Sequence, residues 1–89
     1  MVTMLEKLSE KISVFYIYSR ERKISQPLYL KWQGRILRVS KIGLHHTIRD
    51  GQVLVHVFCV VAGGLFFKLH FDTQALSWTV KEVSDGNAS

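Results

Sequence analysis

The run from Val53 to Phe67 constrains this chain more than any other stretch. It is fifteen residues of nearly unbroken apolar character, interrupted by His56 and by the pair Gly63-Gly64. A membrane span needs about 20 apolar residues, so the run is too short, and it carries its own turn signal. It therefore reads as two halves of a buried hairpin. Both alternating faces of Val53–Val61 are apolar, the pattern of a central strand covered on both sides. The 89-residue chain must build its core around that strand. Area scaling buries about 64% of the extended surface, enough for one modest core and too little for two lobes with a cleft between them.

The length of the glycine turn decides which way the histidines face, because a slip of one residue inverts every side chain. A two-residue Gly63-Gly64 loop sets His56 opposite Phe71, on the face of Phe67 and Leu69. A three-residue loop from Ala62 pairs Val57 with Leu69, Val55 with Phe71 and Cys59 with Phe67, and leaves His56 opposite His70. The second arrangement buries aliphatics and spares a buried imidazole, and is the expected one.

The rest of the chain reads as a meander. Leu28, Leu30 and Trp32 alternate with Tyr29, Lys31 and Gln33, and Gln33-Gly34 supplies a two-residue turn. That turn places Leu30 opposite Leu37, Leu28 opposite Val39, Tyr29 opposite Arg38 and Lys31 opposite Ile36. A four-residue loop from Thr73 to Leu76 pairs Phe71 with Trp78 and Leu69 with Val80. Residues 13–19 have the β-branched and aromatic chemistry of a strand. Residues 19–27, polar and ending in Pro27, read as a connection, and residues 44–51 as a break with a turn at Asp50-Gly51. Met1, Met4, Leu5, Leu8 and Ile12 recur at helical spacing, which predicts an amphipathic helix over 3–12.

The expected fold is thus mainly β, a single small antiparallel meander curling into a half-open barrel with a short N-terminal amphipathic helix. Strands are expected over 13–19, 28–33, 35–42, 52–61, 65–72 and 77–83, in one domain spanning 1–84, with a disordered tail over 85–89. The lone cysteine, Cys59, excludes an internal disulfide and any zinc site built on paired cysteines. The first residues lack the apolar core of a secretory signal, so a cytoplasmic protein without membrane attachment is expected.

The net charge of +5 is unevenly placed. Between residues 20 and 41, Arg20, Arg22, Lys23, Lys31, Arg35, Arg38 and Lys41 face one acid, Glu21. Lys31 and Arg38 project from one outer face beside Tyr29, and Arg35 stands at the Gly34 turn. Cations that displace phosphate counterions, beside rings on which bases stack, are what a nucleic acid needs. The same composition also serves a solvated surface that keeps a small protein soluble.

The histidines form a weaker candidate. His56 and His70, facing each other across the expected register, could hold a transition metal with Cys59 or Asp72, but two surface imidazoles bridged by water explain them as well, and no metal or other cofactor is expected. His45 and His46 are adjacent in an irregular segment; if extended, neighbours point to opposite faces and cannot share a site. Cys59 lies among apolar neighbours, where a thiol is inert, and no nucleophile elbow or phosphate-binding glycine loop is present. The chain reads as a binding module and not as an enzyme.

The elements Gln33-Gly34-Arg35-Ile36-Leu37-Arg38-Val39, Asp50-Gly51, Val53–Val61, Gly63-Gly64, Phe66–Asp72 and Trp78-Thr79-Val80 follow one another in a recognisable order. In this order the segment 32–83 resembles a family of small bacterial all-β domains of unknown function, some of them appended to proteins similar to Y-family translesion DNA polymerases. The resemblance implies a small β fold and a DNA-repair context. Gln33 stands where the pattern has a basic residue and Ile36 where it has an aromatic one, and the N-terminal segment lies outside it. Two functions stay open: a nucleic-acid-binding accessory module using the basic aromatic face, and a protein-interaction module or homodimer formed through a sheet edge or the N-terminal apolar stripe.

Overall fold

A computed structural model describes residues 5–85, with side chains from Ser9 onward. Six antiparallel strands follow one another as β1 (Leu5–Ser19), β2 (Ile24–Trp32), β3 (Arg35–Asp50), β4 (Val53–Ala62), β5 (Leu65–Asp72) and β6 (Ser77–Ser84). They close into a barrel in sequence order, with β6 pairing back onto β1. Inside lie Leu30, Leu37, Phe58, Val60, Ala62, Phe67, Leu69 and Val80, with Trp32 and Trp78 toward opposite ends. The Trp32 ring meets Phe67 edge to face at 5.5 Å. Truncating a core residue such as Leu69 to Ala in so small a core costs about 2–5 kcal/mol.

The turns explain the registers. Gln33 and Gly34 both have positive φ, as do Gly63 and Gly64, so each pair makes the two-residue turn whose twist suits a hairpin. Trp32 then meets Arg35 and Ala62 meets Leu65. The expected three-residue loop at Ala62 is therefore corrected to two: His56 lies opposite Phe71, Val57 opposite His70, and Cys59 opposite Lys68. The loops 20–23 and 73–76 each end on a left-handed residue, Lys23 and Leu76. The pairs of Leu30 with Leu37, Phe71 with Trp78 and Leu69 with Val80 form as expected.

Four further expectations are overturned. The predicted helix over 3–12 is not formed: from Leu5 onward the segment is strand, and Leu5–Ile12 pairs with Trp78–Ser84. Met1 and Met4 lie outside the described residues, as does the expected tail beyond Asp85. This pairing is what closes the barrel, where a half-open one was expected. The connection expected over 19–27 shrinks to residues 20–23, and Pro27 sits within β2, opposite Tyr16 beside a bulge and beyond the last β2–β3 pair. A residue without an N–H is tolerated at such a place. Finally, β3 continues through the expected break to Asp50. Bulges after Val39 and after Ile42 reset its alternation, and that shift in period imitated a loop.

Beyond Arg38, β3 leaves β2 and pairs with β4 alone. Its other edge, over Gly43–Asp50, carries no partner strand among the described residues.

Candidate nucleic-acid interface and barrel mouth

Side-chain alternation along β1, β2 and β3 sorts residues to the outer face one row at a time. Phe15 lies opposite Tyr29, and Tyr29 opposite Arg38; in the next row Ser13 lies opposite Lys31, and Lys31 opposite Ile36. The Phe15 and Tyr29 rings meet edge to face at 6.2 Å. They are 52% and 40% exposed, so two aromatic rings stand in solvent beside two cations with no core to fill. Neighbouring strands are about 4.8 Å apart and alternate residues about 7 Å, so the six side chains make one continuous platform. Lys11, two residues before Ser13, shares a shallow depression with Lys31 and with Glu10 at the platform border.

The eight residues singled out in the sequence divide into three groups. Tyr29, Lys31 and Arg38 share this platform, and Arg35 flanks it beside the Gln33-Gly34 turn. Arg20, Arg22 and Lys23 occupy the β1–β2 turn, where the Arg22 N–H donates to Ser19 Oγ. Six residues of extended chain, roughly 20 Å, separate Lys23 from Tyr29. Lys41, past the first bulge and opposite Val61, belongs elsewhere. It borders an outer depression of about 620 Å³ with Leu44, His46, Cys59 and Phe66, flanked by the Lys68–Glu82 ion pair at 3.4 Å. Cys59 is half-buried there and not in the core. Phe15 and Lys11 escaped the sequence reading, Lys11 because its segment was read as a helix. The signal was present in the alternation of Ser13 and Phe15 with Val14 and Tyr16.

The second concentration of chemistry lies at the barrel end that carries the 20–23, 51–52 and 73–76 turns. A cavity of about 280 Å³ opens there, lined by Tyr16, Ser25, His56, Phe58, Phe71 and Trp78. Phe58 forms its floor, and Trp78 packs between Phe71 at 4.8 Å and Phe58 at 5.5 Å. The Tyr16 hydroxyl and Ser25 Oγ are hydrogen-bonded at 2.7 Å.

The continuation of β3 to Asp50 brings His45 to this end, opposite Phe58. Its ring lies parallel to Phe58 at 4.0 Å, and its Nε2 is hydrogen-bonded to His56 Nδ1 at 2.8 Å. Burial first, then the charges of His56 and His46, push the His45 pKa below its ordinary 6.5. The stacked imidazole is thereby biased toward its neutral form. The expected facing pair of His56 and His70 does not form, because the two project to opposite faces. Burial, with Lys81 and Lys68, also lowers the His70 pKa. Two imidazoles supply half of a tetrahedral zinc set, and no group of three His, Cys, Asp or Glu side chains able to hold a metal occurs among the described residues.

No protein family, characterised protein or solved structure matches this chain.

Proposed function

We propose that the protein is a nucleic-acid-binding accessory module that takes single-stranded nucleic acid on the outer face of β1–β3. One observation carries this reading: exposed Phe15 and Tyr29 stand in a cross-strand row with Arg38, directly beside Lys31. Rings offer stacking of about 1–3 kcal/mol per base whatever the sequence, and the cations neutralise backbone phosphates. In this reading the module binds and does not catalyse, and it acts in the cytoplasm. The DNA-repair context expected from the order of elements in residues 32–83 makes DNA the strand to test first. Fluorescence anisotropy of a labelled single-stranded oligonucleotide tests the reading. Binding is expected at low salt, weaker at physiological salt, and lost in the Lys31→Glu, Arg38→Glu double variant. Absence of binding at low salt overturns it.

A second reading, self-association, draws on the open edge of β3. An unpaired strand edge is a template for another strand, and here it carries no proline. The segment Gly43–Asp50 is charge-balanced, Arg49 against Asp50, within a chain of net charge +5. A second copy, antiparallel about an axis at His46, sets Leu44 opposite Ile48 twice and brings each Asp50 toward the Lys41 end of the other copy. Sedimentation velocity separates the readings: a dimer that dissociates on Leu44→Lys with Ile48→Lys supports it. Both side chains are exposed, so the fold should survive. A wild-type monomer at high protein concentration excludes it.

A further inference from the structure

The outer platform leaves the barrel mouth unused, yet the mouth is the better-formed concavity. We infer that it is a nucleotide site, in which a planar base packs against the aromatic rim of the mouth and the phosphate is held by the cationic β1–β2 turn. The inference deepens the nucleic-acid reading and rests on it.

Three observations select this ligand chemistry. The first is shape: at about 280 Å³ the cavity is at the lower end of ligand pockets, suited to a single ring system. Four of its six lining residues are aromatic, with Phe58 as floor and Tyr16, 40% exposed, as a lip. The second is polarity. Tyr16 Oη with Ser25 Oγ, and His45 with His56, set two hydrogen-bonded pairs of donor–acceptor atoms at the mouth. Each hydroxyl and imidazole keeps capacity for a further bond, as the polar edge of a base requires.

The third is charge. Ser25 lies two residues from Lys23, so the turn that carries Arg20, Arg22 and Lys23 stands at this end of the barrel. Arg49 stands opposite Leu54, two pairs beyond Thr47 and His56 on the same strands. Of the acids at this end, Glu21 shares the cationic turn, Asp50 alternates to the outer face where its charge acts on His70, and the Asp72 carboxylate accepts from the Gln74 and Ala75 N–H groups. Aromatic walls alone would equally suit a quaternary ammonium ligand. Four flanking cations disfavour that ligand and favour an anion. A nucleotide, either free or as the end of a strand, joins both requirements.

The two tryptophans make the test internally controlled, since Trp78 lines the mouth and Trp32 lies toward the other end. In heteronuclear NMR, adenosine or cytidine 5′-monophosphate is expected to shift the Trp78 indole N–H signal and leave that of Trp32 in place. A parallel titration with a short single-stranded oligonucleotide distinguishes the sources. A shift with the mononucleotide assigns a free-nucleotide site, and a shift with the oligonucleotide alone assigns a strand-end site. Ser25→Tyr, which fills the opening from an exposed position, should abolish the shift. Arg22→Glu with Lys23→Glu should weaken binding several-fold. A Trp78 signal unmoved by either ligand, or a shift that survives Ser25→Tyr, overturns the inference. Oligonucleotide binding that is lost in the Lys31/Arg38 variant while Trp78 stays still would refute the mouth site alone. A Trp78 shift with oligonucleotide affinity indifferent to Lys31 and Arg38 would refute the platform alone.

Discussion

At the residue scale, positive φ separates two positions that look equally replaceable. Gly63 has φ +56, and a Cβ there would meet Leu37 Cδ2 at 2.7 Å, so turn strain and core overlap act together. Gly63→Ala is expected to destabilise by about 1–3 kcal/mol, read as the shift in urea midpoint. Leu76 is the opposite case, an exposed branched side chain held at φ +55. Leu76→Gly relieves that strain and is expected to stabilise by up to about 1 kcal/mol. The histidines give a pH response. His45 and His70 have pKa values lowered in the folded chain, so the unfolded chain takes up protons more readily as pH falls. Their stability contribution is complete above the unfolded value near 6.5 and declines as pH drops through it toward the folded values. Thermal melts should show a Tm falling below pH 6.5 in the wild type, and a flatter profile in His45→Gln, His70→Gln. An equal fall in both proteins contradicts this assignment.

At the scale of elements, what was legible depended on whether the information was local. The Gln33-Gly34 hairpin and the Thr73–Leu76 loop are decided by turn chemistry and nearby alternation, and their registers follow from the residues. The N-terminal segment was not decided locally. Its apolar spacing suits a helix, but the barrel needs a strand to pair with β6, and that non-local ladder overrides a weak propensity. The Gly63-Gly64 loop was misjudged because His56 was assumed to be costly on the inner face. At the mouth of the barrel it is half-exposed and bonded to His45, so the penalty is small. That bond joins residues eleven apart across the β3–β4 hairpin, and bulges concealed the phase of β3. The unpaired edge of β3 gives a prediction at this scale. Within Gly43–Asp50, amide hydrogen exchange should alternate, slow where the N–H bonds to β4 and fast where it faces outward. Uniform protection along the segment would mean that a second strand occupies the edge.

At the scale of the whole molecule, closure of the barrel separates the basic residues that sequence proximity had grouped. The platform keeps Lys31 and Arg38 beside Tyr29, the β1–β2 turn at the other end carries Arg20, Arg22 and Lys23, and Lys41 goes to the outer depression. A net charge of +5 is compatible with an acidic partner, and the proposed platform is where rings and charges would engage it. The most direct measurement is the salt dependence of single-stranded DNA affinity for the wild type, Arg38→Ala and Tyr29→Ala. Arg38→Ala should lower the slope of log affinity against log salt by about 0.7, the share of one phosphate contact. Tyr29→Ala should weaken binding by about 1–3 kcal/mol and leave the slope unchanged. Wild-type slope and affinity retained in both variants would contradict the platform and place any binding elsewhere on the molecule.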